Sequence, residues 1–132
     1  MIYGIILAAG IGKRFNDDLP KQYHYLDEKP VIIHTIEKFI NYKDNITIVL
    51  VVNKDFVDYT EKLIAKFIPD NKITIVKGGK TRNESLISAC EYLFENNDVN
   101  DDDIIITHDG DRPFINNRII EENIDALNVY DG

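Results

Sequence analysis

The sequence predicts an α/β fold of the Rossmann-like type, in which a mostly parallel sheet carries helices on both faces. Short runs of apolar, largely β-branched residues alternate four times with segments whose apolar residues recur at helical spacing. Residues 46–52 (ITIVLVV) form an almost wholly apolar run, which is typical of a strand covered on both faces. Because a helix follows each predicted strand, we expect parallel strands joined by right-handed crossovers.

The first two strand–helix pairs are predicted from apolar spacing and one proline. Residues 3–9 (YGIILAA) indicate a buried strand, and residues 31–42 (VIIHTIEKFINY) indicate a helix whose apolar residues share one face. Residues 46–52 are the second strand. Residues 56–68 again have helical spacing, and Pro69 ends that helix because proline lacks a backbone N–H.

The third and fourth strand–helix pairs are predicted in the same way. Residues 73–76 indicate a short third strand, and Thr81 and Glu84 have the spacing of a capping box, so a helix is expected to begin near Thr81. Residues 103–107 (DIIIT) indicate a fourth strand, and residues 115–129 a last helix. The acidic residues just before the fourth strand are interpreted as a solvated loop rather than a metal site.

The composition limits the possible partners. The 132 residues, 44% of them hydrophobic, predict one nucleotide-binding α/β domain over residues 1–132. The net charge of -8 argues against a nucleic acid polymer as partner, because such proteins need a positive field. No apolar run approaches the ~20 residues of a membrane-spanning helix. The charges of Lys13 and Arg14 follow the first apolar run, whereas a signal peptide has its charges first, so we expect a cytoplasmic protein without a membrane partner.

Cys90 is the only cysteine, which excludes an internal disulfide bond. It lies within an apolar pattern at helical spacing, and cysteine is among the most buried residue types. We therefore interpret Cys90 as a packed thiol rather than a nucleophile.

Three connections carry the residues that could take part in binding or catalysis. They are residues 10–21, 78–85 and 108–113, and each follows a predicted strand. In open parallel sheets ligands bind at the carboxyl ends of the strands. We therefore expect the three loops to meet at one edge and form one site.

The first loop has the composition of a phosphate-binding loop. Gly10 and Gly12 allow backbone N–H groups to approach phosphate oxygens, and Lys13 and Arg14 add positive charge. Two common nucleotide motifs fit poorly. A dinucleotide fingerprint requires glycine or alanine where Phe15 stands, and a Walker A loop requires serine or threonine where Arg14 stands.

The motif Leu-Ala-Ala-Gly-x-Gly-x-Arg at residues 7–14, followed by Pro-Lys-Gln at residues 20–22, resembles the sugar-alcohol-phosphate cytidylyltransferases. This family includes the methylerythritol phosphate enzyme of isoprenoid biosynthesis and the ribitol-5-phosphate enzyme of teichoic acid and capsule synthesis. The resemblance implies an enzyme that joins CTP to a sugar-alcohol phosphate and releases pyrophosphate. It also implies that Arg14 and Lys21 are catalytic and stabilise the transferring phosphoryl group.

The other two loops carry further motifs of the family in the family's order. Residues 78–85 resemble its Gly-Gly-x-x-Arg-x-x-Ser segment, which recognises cytosine, and residues 108–113 resemble its His-Asp-x-x-Arg-Pro segment. The resemblance implies that Asp109 holds Mg²⁺ against the triphosphate. It implies that CTP is bound by Ala8, Ala9, Gly10, Gly12, Lys13, Gly79, Lys80, Arg82, Ser85, Gly110 and Arg112.

Lys80 is expected to act through its backbone, and Arg82 to order its loop. Asp111 is interpreted as a solvated carboxylate. Several short stretches, among them residues 34–39, are closer to the ribitol-phosphate enzymes, whereas Ala8 and Ala9 fit the methylerythritol branch at least as well. The expected acceptor is therefore ribitol 5-phosphate, with 2-C-methyl-D-erythritol 4-phosphate next.

Two further interpretations stay open. The chain is shorter than the family enzymes, whose additional residues bind the acceptor and extend an arm to the partner of a homodimer, so a non-catalytic nucleotide-binding fragment is one alternative. A guanylyltransferase of the molybdenum-cofactor type shares a similar glycine-rich start and is the other. A preference for GTP over CTP would distinguish the latter.

Overall fold

The computed structural model describes residues 1–10, 19–42, 44–69, 73–96, 99 and 102–110. In chain order the elements of these residues are β1 (Ile2–Ala8), β2 (Tyr25–Leu26), β3 (Lys29–Pro30), α1 (Val31–Ile40), β4 (Ile46–Val52), α2 (Val57–Phe67), β5 (Ile73–Lys77), α3 (Arg82–Asn96) and β6 (Ile104–Asp109). Short 3-10 turns at Lys21–Tyr23 and Lys54–Phe56 precede β2 and α2.

Four parallel strands form the central sheet in the order β5-β4-β1-β6. β1 lies in the middle, with Leu7 opposite Val51 of β4 and opposite Asp109 of β6. Val52 at the end of β4 pairs with Lys77 at the end of β5. The carboxyl ends of all four strands therefore meet at one edge, as the alternating sequence pattern predicts.

Helices cover both faces of the sheet, which confirms the predicted fold class. Alternate residues of β1 enter different cores: Ile6 packs with residues of α1 and α2, and Ile5 packs with residues of α3. The first core is the larger and includes Ile32, Ile36, Phe39, Leu50 and Leu63. Burial on both faces explains why the strands lack an alternation of polar and apolar residues.

The strand ends differ from the predicted ones where pairing with a neighbour continues. β5 includes Lys77 because that residue pairs with Val52. β6 runs through Asp109, which the sequence placed just past the strand, because Asp109 pairs with Leu7. Asp109 is therefore held by the sheet rather than by a loop.

The antiparallel pair β2–β3 was not predicted. Each strand has only two residues, and Asp27 in the turn between them has a positive φ of 52°. Strands this short have no detectable periodicity, and the turn lacks the glycine that usually marks a left-handed position. The predicted helix at residues 115–129 lies outside the described residues.

Cys90 lies on α3, is partly buried and packs against the second core. Burial raises the pKa of its thiol, which lowers the thiolate fraction at neutral pH. This environment agrees with the interpretation as a packed thiol. Within the part of the chain that the structure describes, no helix has the length and apolar character needed to cross a membrane.

Candidate functional site

Small residues bring the strand ends together at the carboxyl edge of the sheet. The N–H of Gly110 donates to the carbonyl of Leu7 at 2.7 Å, and a Cβ on Gly110 would lie 2.8 Å from the Cβ of Ala8. The N–H of Gly78 donates to the carbonyl of Val52 at 2.7 Å. A Cβ on Gly78 would lie only 2.5 Å from the Cβ of Ala9. Ala8 with Gly110 and Ala9 with Gly78 thus form two closely packed pairs at this edge, which together we call the small-residue floor; Ala9 and Gly78 are its partly exposed members.

Gly10 differs from the floor glycines. It is exposed, its φ is not positive, and a Cβ built on it would meet no described atom within 4 Å. Described packing therefore does not require glycine here. An expected role for Gly10 in phosphate binding depends on its backbone, as the sequence proposes.

Lys21 stands exposed at this same edge, at the start of a fixed 3-10 turn. The next residue, Gln22, is buried, and its Nε2 donates to the carbonyls of Ala8 at 2.7 Å and Gly10 at 3.0 Å. The backbone of Lys21 is therefore anchored beside the end of β1. This is where the sequence expects the phosphates of a nucleotide.

Tyr23 fixes the turn from the other side. Its ring is fully buried and stacks on Phe56 at 5.2 Å between centroids. Its hydroxyl lies 2.6 Å from Oγ1 of Thr60, which itself donates to the carbonyl of Phe56, so Tyr23 is the donor. Burial raises the pKa of Tyr23, which keeps the phenol neutral and able to donate.

The second loop has the capping box that the sequence predicts. The N–H of Glu84 donates to Oγ1 of Thr81 at 3.1 Å, and Oε2 of Glu84 accepts the N–H of Thr81 at 3.3 Å. The same Oε2 accepts the N–H of Lys80 at 2.6 Å. The Lys80 amide is thus occupied by the cap, so a backbone contact from Lys80 to a base would use its carbonyl.

Ser85 faces the small-residue floor. It is buried, its Oγ accepts the N–H of Gly79 at 3.1 Å, and its Oγ would lie 2.7 Å from a Cβ on Gly78. A serine hydroxyl that accepts one hydrogen bond still has its proton to donate. Gly79 and Ser85 therefore form a polar pair beside the floor, suited to a ligand with hydrogen-bond acceptors.

An ion pair joins the second and third loops. Nε of Arg82 lies 3.3 Å from Oδ1 of Asp109, and both side chains are partly exposed. Such a pair contributes little to stability, since water screens it. Its effect is to hold the start of α3 against the end of β6, in agreement with the expected ordering role of Arg82.

Asp109 is the candidate metal ligand. The described residues contain no group of three or more histidine, cysteine, aspartate or glutamate side chains arranged for a metal. Mg²⁺ is commonly bound by one or two carboxylates together with substrate phosphates, so a strand-end carboxylate fits a metal that arrives with a triphosphate.

The structure brings together the described part of the expected site at the carboxyl edge of the sheet: Ala8, Ala9, Gly10 and Lys21 near the end of β1, Gly79, Lys80, Arg82 and Ser85 at the start of α3, and Asp109 with Gly110 at the end of β6. Gly12, Lys13, Arg14, Asp111 and Arg112 lie outside the described residues. Sequence reasoning did not assign roles to Gly78 and Gln22. The sequence signals that could have pointed to them are the pairing of Gly78 with Gly79 and the position of Gln22 directly after Lys21.

Comparisons with known proteins identify the family and support the fold. The family model described as IspD, 2-C-methyl-D-erythritol 4-phosphate cytidylyltransferase, matches residues 2–132. A solved 4-diphosphocytidyl-2C-methyl-D-erythritol synthase from Anaerococcus prevotii DSM 20548 is 29% identical with a TM-score of 0.73, over 96% of this chain and 50% of that one. A second structure described as the same synthase is 24% identical with a TM-score of 0.76, over 94% of this chain and 53% of that one, and supports the fold. The chain spans about half the length of these structures.

Proposed function

Because the chain belongs to the 2-C-methyl-D-erythritol 4-phosphate cytidylyltransferase family, whose model matches residues 2–132, we propose that the full-length protein transfers CMP from CTP to a sugar-alcohol phosphate and releases pyrophosphate. The observation that carries the proposal is the meeting of the strand ends at the carboxyl edge of the sheet. There Lys21 begins a 3-10 turn beside the end of β1, Ser85 lies in the first turn of α3, and Asp109 ends β6.

The chemistry of this reaction suits the residues at that edge. The acceptor is a phosphate monoester whose second pKa is about 6, so at neutral pH its oxygen is already a charged nucleophile and needs no general base. It attacks the α-phosphorus of CTP, and the bond to the β-phosphate oxygen breaks. The difficulty is to bring two anions together and stabilise the charge that develops, which calls for fixed cations and precise positioning.

Each side chain has one role in this proposal. Lys21, with Arg14 from the same connection, stabilises charge on the α-phosphate. Gly79 and Ser85 recognise cytosine, and Asp109 holds Mg²⁺. The metal supplies positive charge that neutralises the triphosphate.

The proposed acceptor is 2-C-methyl-D-erythritol 4-phosphate. The sequence stretches that favoured ribitol 5-phosphate find no support in the comparisons, whose family model and solved structures carry the methylerythritol description. Pyrophosphate release by the full-length protein should be measured with each acceptor at saturating CTP. A higher kcat/KM with ribitol 5-phosphate would overturn the proposed acceptor and leave the cytidylyl transfer intact.

CTP with Mg²⁺ is expected to raise the melting temperature of the full-length protein, and GTP with Mg²⁺ is not. A ligand that binds only the folded state adds roughly 2.7 kcal/mol to the free energy of unfolding at a hundredfold excess over Kd. Thermal unfolding with each nucleotide measures this effect. Equal shifts would contradict cytidine recognition, a larger shift with GTP would favour a guanylyltransferase, and CTP binding without pyrophosphate release would favour a non-catalytic module.

Asp109→Asn is expected to weaken Mg²⁺-dependent CTP binding by roughly tenfold or more, because a neutral amide oxygen attracts Mg²⁺ less strongly than a charged carboxylate. The fold should persist, since the residue is partly exposed and its pair with Arg82 is a screened surface pair. Calorimetry with CTP, with and without Mg²⁺, is the measurement.

The matched control is Arg82→Gln, which breaks the same ion pair and leaves the carboxylate in place. Its loss of affinity should be similar with and without Mg²⁺. If Asp109→Asn binds CTP and Mg²⁺ like the unsubstituted protein, Asp109 is not the metal ligand.

A further inference from the structure

Gln22 makes a contact that the sequence does not reveal. Its side-chain amide is buried, and one nitrogen donates to two carbonyls, those of Ala8 and Gly10, at 2.7 and 3.0 Å. Both acceptors are carbonyls, so the orientation of the amide is determined by its partners. The glutamine therefore spans the point where the chain leaves β1 for the first loop.

The return of that loop is held by the same short turn. Nε2 of His24 lies 2.8 Å from the carbonyl of Leu19, near the end of that loop. The N–H of Tyr23 donates to the carbonyl of Pro20 at 3.0 Å. Gln22 in the 3-10 turn and His24 directly after it thus contact Gly10 and Leu19, which lie near the two ends of the first loop.

Lys21 begins this turn, and its side chain is exposed toward solvent while its neighbour is buried. A lysine side chain is a flexible stem of four carbons that ends in an ammonium group. The position of the lysine backbone therefore limits the region that the ammonium group can reach. The two hydrogen bonds of Gln22 fix that backbone against the end of β1. Removing them would leave Tyr23 as the main anchor, on the side of the turn that packs on α2.

We propose that Gln22 is a positioning residue, which sets Lys21 at the distance from β1 that phosphoryl transfer needs. This inference rests on the proposed function, in which Lys21 acts on the α-phosphate. A displacement of about 1 Å in a positioned group can cost up to 10²-fold in rate, so loss of the anchor should affect turnover more than binding.

The test is Gln22→Met in the full-length protein, because methionine has similar length and no amide donor. We expect kcat for pyrophosphate release to fall about tenfold or more, with KM for CTP changed by less than about threefold. Tyr23→Phe is the matched control. It removes the hydrogen bond to Thr60 on the opposite side of the same turn and leaves both Gln22 contacts in place, so its kcat should stay near the unsubstituted value.

A second variant keeps the proposal testable if Gln22→Met folds poorly. Gln22→Glu keeps the shape but turns a carboxylate toward two carbonyls, and that burial raises the pKa of the new carboxyl group. Once protonated, the carboxyl can donate one hydrogen bond. The ratio of its kcat to that of the unsubstituted enzyme should therefore rise as the pH falls.

The outcomes separate the two proposals. An unsubstituted enzyme that releases no pyrophosphate refutes the proposed function. An active enzyme whose folded Gln22→Met variant has kcat within about threefold of normal, or no lower than Tyr23→Phe, refutes the positioning role. A pH-independent ratio for Gln22→Glu refutes it as well.

Discussion

Replacing Lys21 with alanine in the full-length protein is expected to lower kcat by about 10² or more while CTP affinity falls much less. The reason is that charge develops at the α-phosphate in the transition state, and a fixed cation there is worth as much as one preorganised oxyanion donor. An interaction that strengthens mainly in the transition state changes kcat rather than ground-state binding. Lys21 is exposed and belongs to no core, so the fold should be unaffected.

Steady-state pyrophosphate release at saturating CTP measures this effect. Lys62→Ala is the control, since Lys62 is exposed on α2 and its loss should leave kcat unchanged. A near-normal kcat in Lys21→Ala would contradict the catalytic role of Lys21 and indicate that it is only a solvated surface charge.

Arg14→Lys should not reach the full rate of the unsubstituted enzyme, because an ammonium group cannot reproduce the planar fork of a guanidinium on phosphate oxygens.

Gly78→Ala is expected to lower the free energy of unfolding by about 1–3 kcal/mol, the usual cost of forcing a methyl group into a packed site. The new Cβ would lie 2.5 Å from the Cβ of Ala9 and 2.7 Å from Oγ of Ser85. It would also meet a methyl group of Val51 at 3.1 Å. Relief of these overlaps must move Ser85 away from the N–H of Gly79, so CTP binding should weaken too.

The matched control for stability is Gly10→Ala. A Cβ at Gly10 meets nothing within 4 Å among the described atoms, and the φ of Gly10 is not positive. Alanine there should be neutral or raise stability by up to about 1 kcal/mol, because it restricts the unfolded chain. Urea unfolding of both variants checks the pair. Equal stabilities would mean that the floor adjusts to a methyl group without strain.

The sequence was sufficient for the features that depend on local pattern. The strand Ile46–Val52 has its predicted ends, because a run buried on both faces is apolar along nearly its whole length, with only Thr47 exposed. The capping box of Thr81 and Glu84 could likewise be predicted from the sequence, since its hydrogen bonds join residues three positions apart. The meeting of three loops followed from the rule that parallel strands end at one edge.

Features that depend on contacts distant in sequence were not predictable. Asp109 ends a strand because it pairs with Leu7, more than a hundred residues earlier. The sequence alone does not distinguish Gln22 from an exposed polar residue, because its role depends on hydrogen bonds from its amide to the carbonyls of Ala8 and Gly10. The need for glycine at Gly78 arises from Ala9 and Ser85, which neither spacing nor composition brings to it.

The small-residue floor has a consequence for the entropy of binding. Alanine and glycine have no side-chain rotamers, so the floor's partly exposed members, Ala9 and Gly78, would lose no side-chain freedom on contact with a ligand. A surface of long side chains would lose roughly 0.5–1.5 kcal/mol for each one immobilised. A nucleotide bound against these residues, as we propose, would therefore lose no affinity to the ordering of their side chains.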